Sequence, residues 1–233
     1  MKKTILSITI LTAMVAVFSF NSIGSVYAYN DQPATSAIDV QLSSENLTQS
    51  EIDDLLYMHE EEKLARDVYL TLYEKWDLAL FNNIATSEQR HMDAVDTLIE
   101  RYGLLDSVLA DVGKFTNQDL QDLYDELVAK GSNSLTDALL VGAAIEEIDI
   151  LDLQDALEET VNADISRVFE SLMRGSYNHL KAFTSTYNRY ADDVYEPQYM
   201  TQSEYDQILT QSNQSARGRF QSNTNPGRRG GRF

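Results

Sequence analysis

From about residue 49 to residue 200, apolar residues recur at alternating intervals of three and four, the spacing that lines up one face of an α-helix. The pattern predicts four long amphipathic helices. Helix one runs from about Gln49 to Trp76 behind a Ser50/Asp53 cap signal, with a stripe of Leu55, Met58, Glu62, Ala65, Tyr69, Leu72 and Trp76. Helix two, about Asn82 to Tyr102, carries Phe81, Ile84, Glu88, His91, Val95 and Leu98 and ends at Gly103, a residue suited to a left-handed helix stop. Helix three starts at Ser134, with Asp137 in capping-box position, and reaches about Glu158 through Leu139, Gly142/Ala143, Glu146, Asp149/Ile150, Leu153 and Leu157. Helix four, about Asn162 to Tyr190, shows Ile165, Val168, Leu172, Gly175/Ser176, His179 and Ala182/Phe183.

The links between helices one and two, and between three and four, are short, so each pair is expected to pack antiparallel. A longer connection, about Leu104 to Asn133, holds a short helix near Asn117–Lys130 stopped by Gly131. Pro197 breaks the pattern between Asp192 and Tyr199, and a weak helix is expected at Gln202–Leu209. The resulting layout is all-α: a four-helix bundle over 48–210, with a long crossover carrying one extra short helix.

The ends read differently. Lys2 and Lys3, an apolar run from Thr4 to about Phe20, and Val26-Tyr27-Ala28 match a secretory leader over 1–28, cut after Ala28. This points to a secreted, periplasmic or cell-envelope protein. An uncleaved membrane anchor is the alternative. Residues 29–47 are polar and aperiodic, as a disordered linker would be. From 211 to 233 the chain is rich in Ser, Asn, Gly and Arg, with five arginines and no acid. That composition predicts a disordered basic tail, solvated or in contact with anionic envelope polymer, lipid headgroups or another copy's acidic body.

Charge and composition then narrow the chemistry. The net charge of −19 argues against nucleic acid as a partner of the folded part. With no cysteine and only three histidines, any metal site must be mostly carboxylate. Each apolar stripe is interrupted by such groups near its middle: Glu62 on helix one, Glu88 and His91 on helix two, Glu146 and Asp149 on helix three, His179 on helix four. A lone carboxylate removed from water costs several kcal/mol. Clustered inward carboxylates would also repel one another. Two divalent cations would relieve both problems. Glu88-Gln-Arg-His91 sets a carboxylate and an imidazole three residues apart on one helical face. Acidic runs such as Glu60–Glu62 and Glu146–Glu147 are more often solvated faces. His59 is expected at the edge of the site or in solvent. What favours the metal reading is the joint pattern, because two of three histidines fall on the stripes of helices two and four.

These residues resemble the ferritin-like superfamily, its rubrerythrin-type branch in particular. The strings are Glu62-Lys-Leu-Ala-Arg66, Glu88-Gln-Arg-His91, and Ala143-Ala-Ile-Glu146 with Asp149. The wider pattern, over Glu60–Tyr69, Ser87–Met92, Ile145–Leu153 and Gly175–Phe183, is similar to an exported family in that superfamily described only as a domain of unknown function. The resemblance covers roughly 50 to 210 and implies a four-helix bundle with a di-metal centre. In that superfamily two helices each give one Glu and two give Glu-x-x-His. Helix four departs from this: Ser176 stands where the second such Glu belongs, and Asp149 is the candidate replacement. The expected ligands are therefore Glu62, Glu88, His91, Glu146, Asp149 and His179, with Glu62 and Glu146 bridging. Whether Glu146 or Glu147 faces inward stays open, because helix three is apolar on more than one side.

Carboxylate and imidazole without sulfur suit iron first, manganese second, and zinc as a further occupant. The expected function is a di-iron or di-manganese oxidoreductase acting on oxygen, peroxide or Fe(II); Tyr69 and Tyr177, close by in register, read first as amphipathic core tyrosines and otherwise as carriers of electrons or protons. Two alternatives remain: a metal-binding module without turnover, and a metal-free bundle used for envelope interactions. A homodimer is compatible with either.

Overall fold

The computed structural model describes residues 47–106 and 108–210. The leader, nearly all of the linker and the basic tail lie outside the described residues. Among those described there are six helices and no strand: α1 Gln49–Trp76, α2 Ala79–Tyr102, α3 Gln118–Gly131, α4 Leu135–Glu159, α5 Ala163–Tyr190, and α6 at 202–210. None of them is long and apolar enough to cross a membrane.

Two helix starts differ from the pattern. The cap of α1 is Thr48, whose hydroxyl accepts from the Glu51 N–H while Glu51 accepts from the Thr48 backbone, a capping box two residues earlier than Ser50/Asp53. α2 begins at Ala79, behind a Leu78 cap with no side-chain hydrogen bond. Leu78 has no polar side chain to accept from the first-turn N–H groups, so the sequence offers no start signal there. Ser134 and Asn162 cap α4 and α5 through their side chains, and Gly103 closes α2 at φ 66°.

α1 packs along α2 and α4 along α5. The two pairs meet through α1 with α4 and α2 with α5, while α3 lies against α1 and α4. Two apolar layers result. One holds Leu55, Met58, Val95, Leu153, Phe169 and Leu172. The other, farther along the helices, stacks Tyr69, Phe81 and Phe183, with ring centroids 5.1 to 6.5 Å apart. Each fully buried Leu or Phe contributes about 1.5–3 kcal/mol. Between the layers runs a band of charged residues.

Other buried charges pin the connections. The Lys63 ammonium pairs with Asp67 and donates to the carbonyls of Asp111 (3.0 Å) and Lys114 (3.1 Å). Asp67 also takes Arg66 Nη2 (2.7 Å) and the Gly113 N–H (2.8 Å). At Gly113, φ is 70° and a Cβ would meet the Tyr124 ring at 2.6 Å, so only glycine fits. At the far end, Glu147 accepts from the Tyr195 hydroxyl and from the N–H groups of Gln198 (2.9 Å), Tyr199 (2.5 Å) and Met200 (3.2 Å). The segment after α5 is thereby strapped to α4.

Candidate metal centre

Stripe positions near the middle of four helices bring five ionisable side chains to one place. Glu62 comes from α1, Glu88 and His91 from α2, Glu146 from α4 and His179 from α5, and none exposes more than 12% of its side chain. Their ligand-type atoms form two triads, Glu62–Glu88–His91 and Glu88–Glu146–His179, which share Glu88.

The geometry is nearly symmetric about Glu88. Its Oε2 lies 2.8 Å from His91 Nδ1, and its Oε1 lies 2.8 Å from His179 Nδ1. On the outer side of each imidazole stands a second carboxylate: Glu62 Oε2 at 3.2 Å from His91 and Glu146 Oε2 at 3.4 Å from His179. The two rings stack with centroids 5.5 Å apart. Glu88 thus occupies the middle position expected for Glu62 and Glu146. It lies one turn before His91 on α2 and reaches across to α5, whereas Glu62 and Glu146 are held on the flanks by α1 and α4.

Burial leaves several of these atoms without hydrogen bonds. The close approach of His179 Nδ1 to Glu88 Oε1 is out of line for one, and both atoms are orphaned, as are Glu62 Oε1 and Asp149 Oδ1. Orphaned buried carboxylate and imidazole atoms are costly. Separations of 2.8 to 3.4 Å are close to the roughly 3 Å between neighbouring ligands on a metal bound at about 2.0–2.2 Å. The donor set therefore fits a pair of divalent cations.

Electrostatics follow the same map. Burial pulls His91 down, but Glu62 and Glu88 outweigh it and lift the imidazole to about 11. The same contest, won by Glu146 and Glu88, lifts His179 to about 10. Burial pushes Glu88 up, and the two imidazoles overcome it and hold it at about 2. Glu62 and Glu146 are raised, by burial first and then by Asp149 and Glu88 respectively. Asp149 is lifted to about 7 by burial and Glu146, against the Ser176 hydrogen bond.

Asp149 stands beside the triads. Its Oδ2 accepts from the Ser176 hydroxyl, which is fully buried on α5. The second half of the site thus carries an acid on α4, hydrogen-bonded to the α5 position where an acid is missing. Tyr69 donates to Glu146 Oε1 at 2.7 Å, while Tyr177 is half-buried on α5. Glu146 faces the site and Glu147 does not. His59 is buried rather than solvent-facing, in a separate cluster with Asp96 and Asp106.

Sequence reasoning missed Glu61, placed in a solvated run but 3% exposed. Burial, then Asp152, Asp149 and Glu62, holds its carboxyl well above the usual range, and it hydrogen-bonds to Asp152. Asp152 also takes the Tyr57 hydroxyl at 3.2 Å. Its clue is the i to i+3 spacing from Met58, which puts Glu61 on the edge of the same stripe.

Residues 51–212 match the family model described as an uncharacterized protein domain, DUF2202. The chain belongs to this family. A relative, the uncharacterized protein MJ0754 of Methanocaldococcus jannaschii, is 48% identical over 179 residues, covering 76% of this chain and 96% of the relative. The crystal structure of the hypothetical protein MJ0754 from Methanococcus jannaschii superposes with a TM-score of 0.68 at 45% identity, covering 79% of this chain and 98% of that one. The DUF2202 domain thus spans all six helices of the described region.

Proposed function

We propose that this DUF2202 protein is an exported, ferritin-like di-metal carboxylate protein whose four long helices form the bundle around the centre. Its activity is oxidation–reduction with oxygen, peroxide or Fe(II) as the small-molecule reactant. One observation carries this reading: two buried Glu–Glu–His triads from four helices share a single carboxylate, Glu88, and leave orphaned donor atoms facing one another.

Two bound cations, iron ahead of manganese and zinc, would supply Lewis acidity and, for iron or manganese, electrons. Glu88 would hold both, Glu62 with His91 one, and Glu146 with His179 the other. His91 and His179 bind protons tightly in the metal-free protein, so loading displaces protons. Ser176 keeps Asp149 beside the centre, where its carboxyl near neutrality can take up or release a proton. The Tyr69 hydroxyl fixes the orientation of Glu146 and gives it a proton-sharing partner. The apolar layers on either side keep bulk water away from these groups.

The test is metal analysis of the purified protein beside Glu88→Ala and His179→Ala, followed by peroxide addition to the iron-loaded wild type. Two iron or manganese ions in wild type, lost in both variants, with an absorbance change on peroxide, is the expected result. Equal metal content in all three proteins overturns the reading. The chain has no cysteine, hence no sulfur-ligated iron centre of its own to deliver electrons. That favours a second reading, metal binding without turnover, which the peroxide step separates from the first.

A further inference from the structure

We infer that His59, Asp96 and Asp106 form a separate mononuclear site for a divalent first-row cation at the outer end of the charged band. This inference stands apart from the paired centre. One ligand-type atom from each of the three residues lies within 4.8 Å of the other two, and they come from α1, α2 and the connection after α2. His59 is 5% exposed. Its Nδ1 lies 3.0 Å from Asp106 Oδ2, yet out of line for a hydrogen bond and without a partner. A buried imidazole nitrogen with no hydrogen bond, facing two carboxylates, is an incomplete arrangement for a structural histidine. It is a complete one for a metal ligand.

The other two residues fit the same role. Asp106 uses Oδ1 to accept the Val108 N–H at 3.1 Å, which fixes the carboxylate and leaves Oδ2 toward His59. Asp106 keeps 26% of its side chain exposed, so a cation can arrive from solvent. One imidazole and two carboxylates leave open positions for water and suit zinc, manganese or ferrous iron. His59 precedes Glu62 by one turn and Asp96 follows His91 by five residues, so this site lies about 5–8 Å along the helices from the first triad. All three histidines of the chain then face at least two carboxylates each.

The experiment is a Zn²⁺ titration of the full-length protein against a chromophoric chelator, with circular dichroism to confirm folding. Wild type is compared with Asp106→Ala, Asp96→Ala and Glu88→Ala. Both aspartates are partly solvent-accessible, and alanine favours the α2 helix. Each aspartate variant is expected to lose one equivalent and leave the rest of the isotherm unchanged, while Glu88→Ala retains that equivalent. Loss of one equivalent in the aspartate variants upholds this site even if Glu88→Ala loses none, the result that would remove the paired centre. Isotherms of Asp106→Ala and Asp96→Ala that coincide with wild type overturn it.

Discussion

Glu146 and Glu147 are neighbours on α4, both buried, and they meet opposite surroundings. Glu147 is surrounded by donors: one tyrosine hydroxyl and three consecutive backbone N–H groups. Asp67 and Glu51 are likewise saturated, Glu51 by Thr48 at one end and by Thr160, Val161 and Asn162 at the other. Glu146 has one tyrosine and an imidazole nitrogen 3.4 Å away, and looks toward other carboxylates. The chain supplies partners for a buried acid where the acid holds the structure together. Where it supplies too few, the acids share a space suited to cations. Burial alone does not tell the two acids apart; the supply of donors does.

The largest effect expected from this contrast is on stability. Glu147→Gln turns an amide NH₂ toward N–H donors and is expected to lower unfolding free energy by about 3 kcal/mol, read from chemical denaturation. Glu146→Gln, tested in metal-free protein, removes a carboxyl that burial already disfavours. It should change stability by about 1 kcal/mol or less. Equal losses in the two variants would erase the distinction.

A pH series sharpens it. In the metal-free protein, Asp149 titrates at about 7 against 3.8 unfolded, and His91 and His179 at about 11 and 10 against 6.5. All three hold protons more tightly when folded. Their contribution is complete below the unfolded values and is lost as pH rises through the folded ones. Glu88, depressed to about 2, acts oppositely but only below about pH 4.5. The melting temperature of metal-free protein is therefore expected to fall by several degrees from about pH 5 to about pH 9. Saturating Mn²⁺ should flatten that slope, since the metal replaces the protons. A metal-free protein whose melting temperature is level across this range would contradict the assignment.

Much of this arrangement was readable from the chain alone. The alternating stripes located the four long helices because their apolar faces are narrow enough to interrupt visibly with Glu62, Glu88, His91 and His179. α4 was the exception. It is buried on nearly every side, so no single stripe distinguishes Glu146 from Glu147, and the deciding partners lie in the aperiodic segment 195–200. The cap of α1 was ambiguous for a similar local reason: Thr48 with Glu51 and Ser50 with Asp53 are overlapping signals of one form. The burial of His59 was not legible because Asp106 sits in a connection with no periodicity to announce which way it turns.

Two smaller effects complete the comparison. At Gly175 a Cβ would come within 2.5 Å of His91 Nε2. Gly175→Ala is expected to displace that imidazole and weaken the tightest metal equivalent about tenfold, while alanine's helix preference, about 1 kcal/mol, offsets much of the packing strain. Calorimetric metal titration beside thermal melts would show affinity and stability moving separately. Tyr69→Phe removes the hydrogen bond to Glu146 together with the longer one to the Gly142 carbonyl at 3.3 Å, and should cost about 1 kcal/mol.

The strap on Glu147 also sets the rotational setting of α4. Successive residues on a helix point about 100° apart. Anchoring one side chain to residues 195–200 therefore decides where its predecessor aims. A stretch of backbone more than forty residues downstream thus acts as the stop against which α4 is turned, and shortening the chain before Tyr195 would let Glu146 swing away from His179 without altering any residue of the charged band.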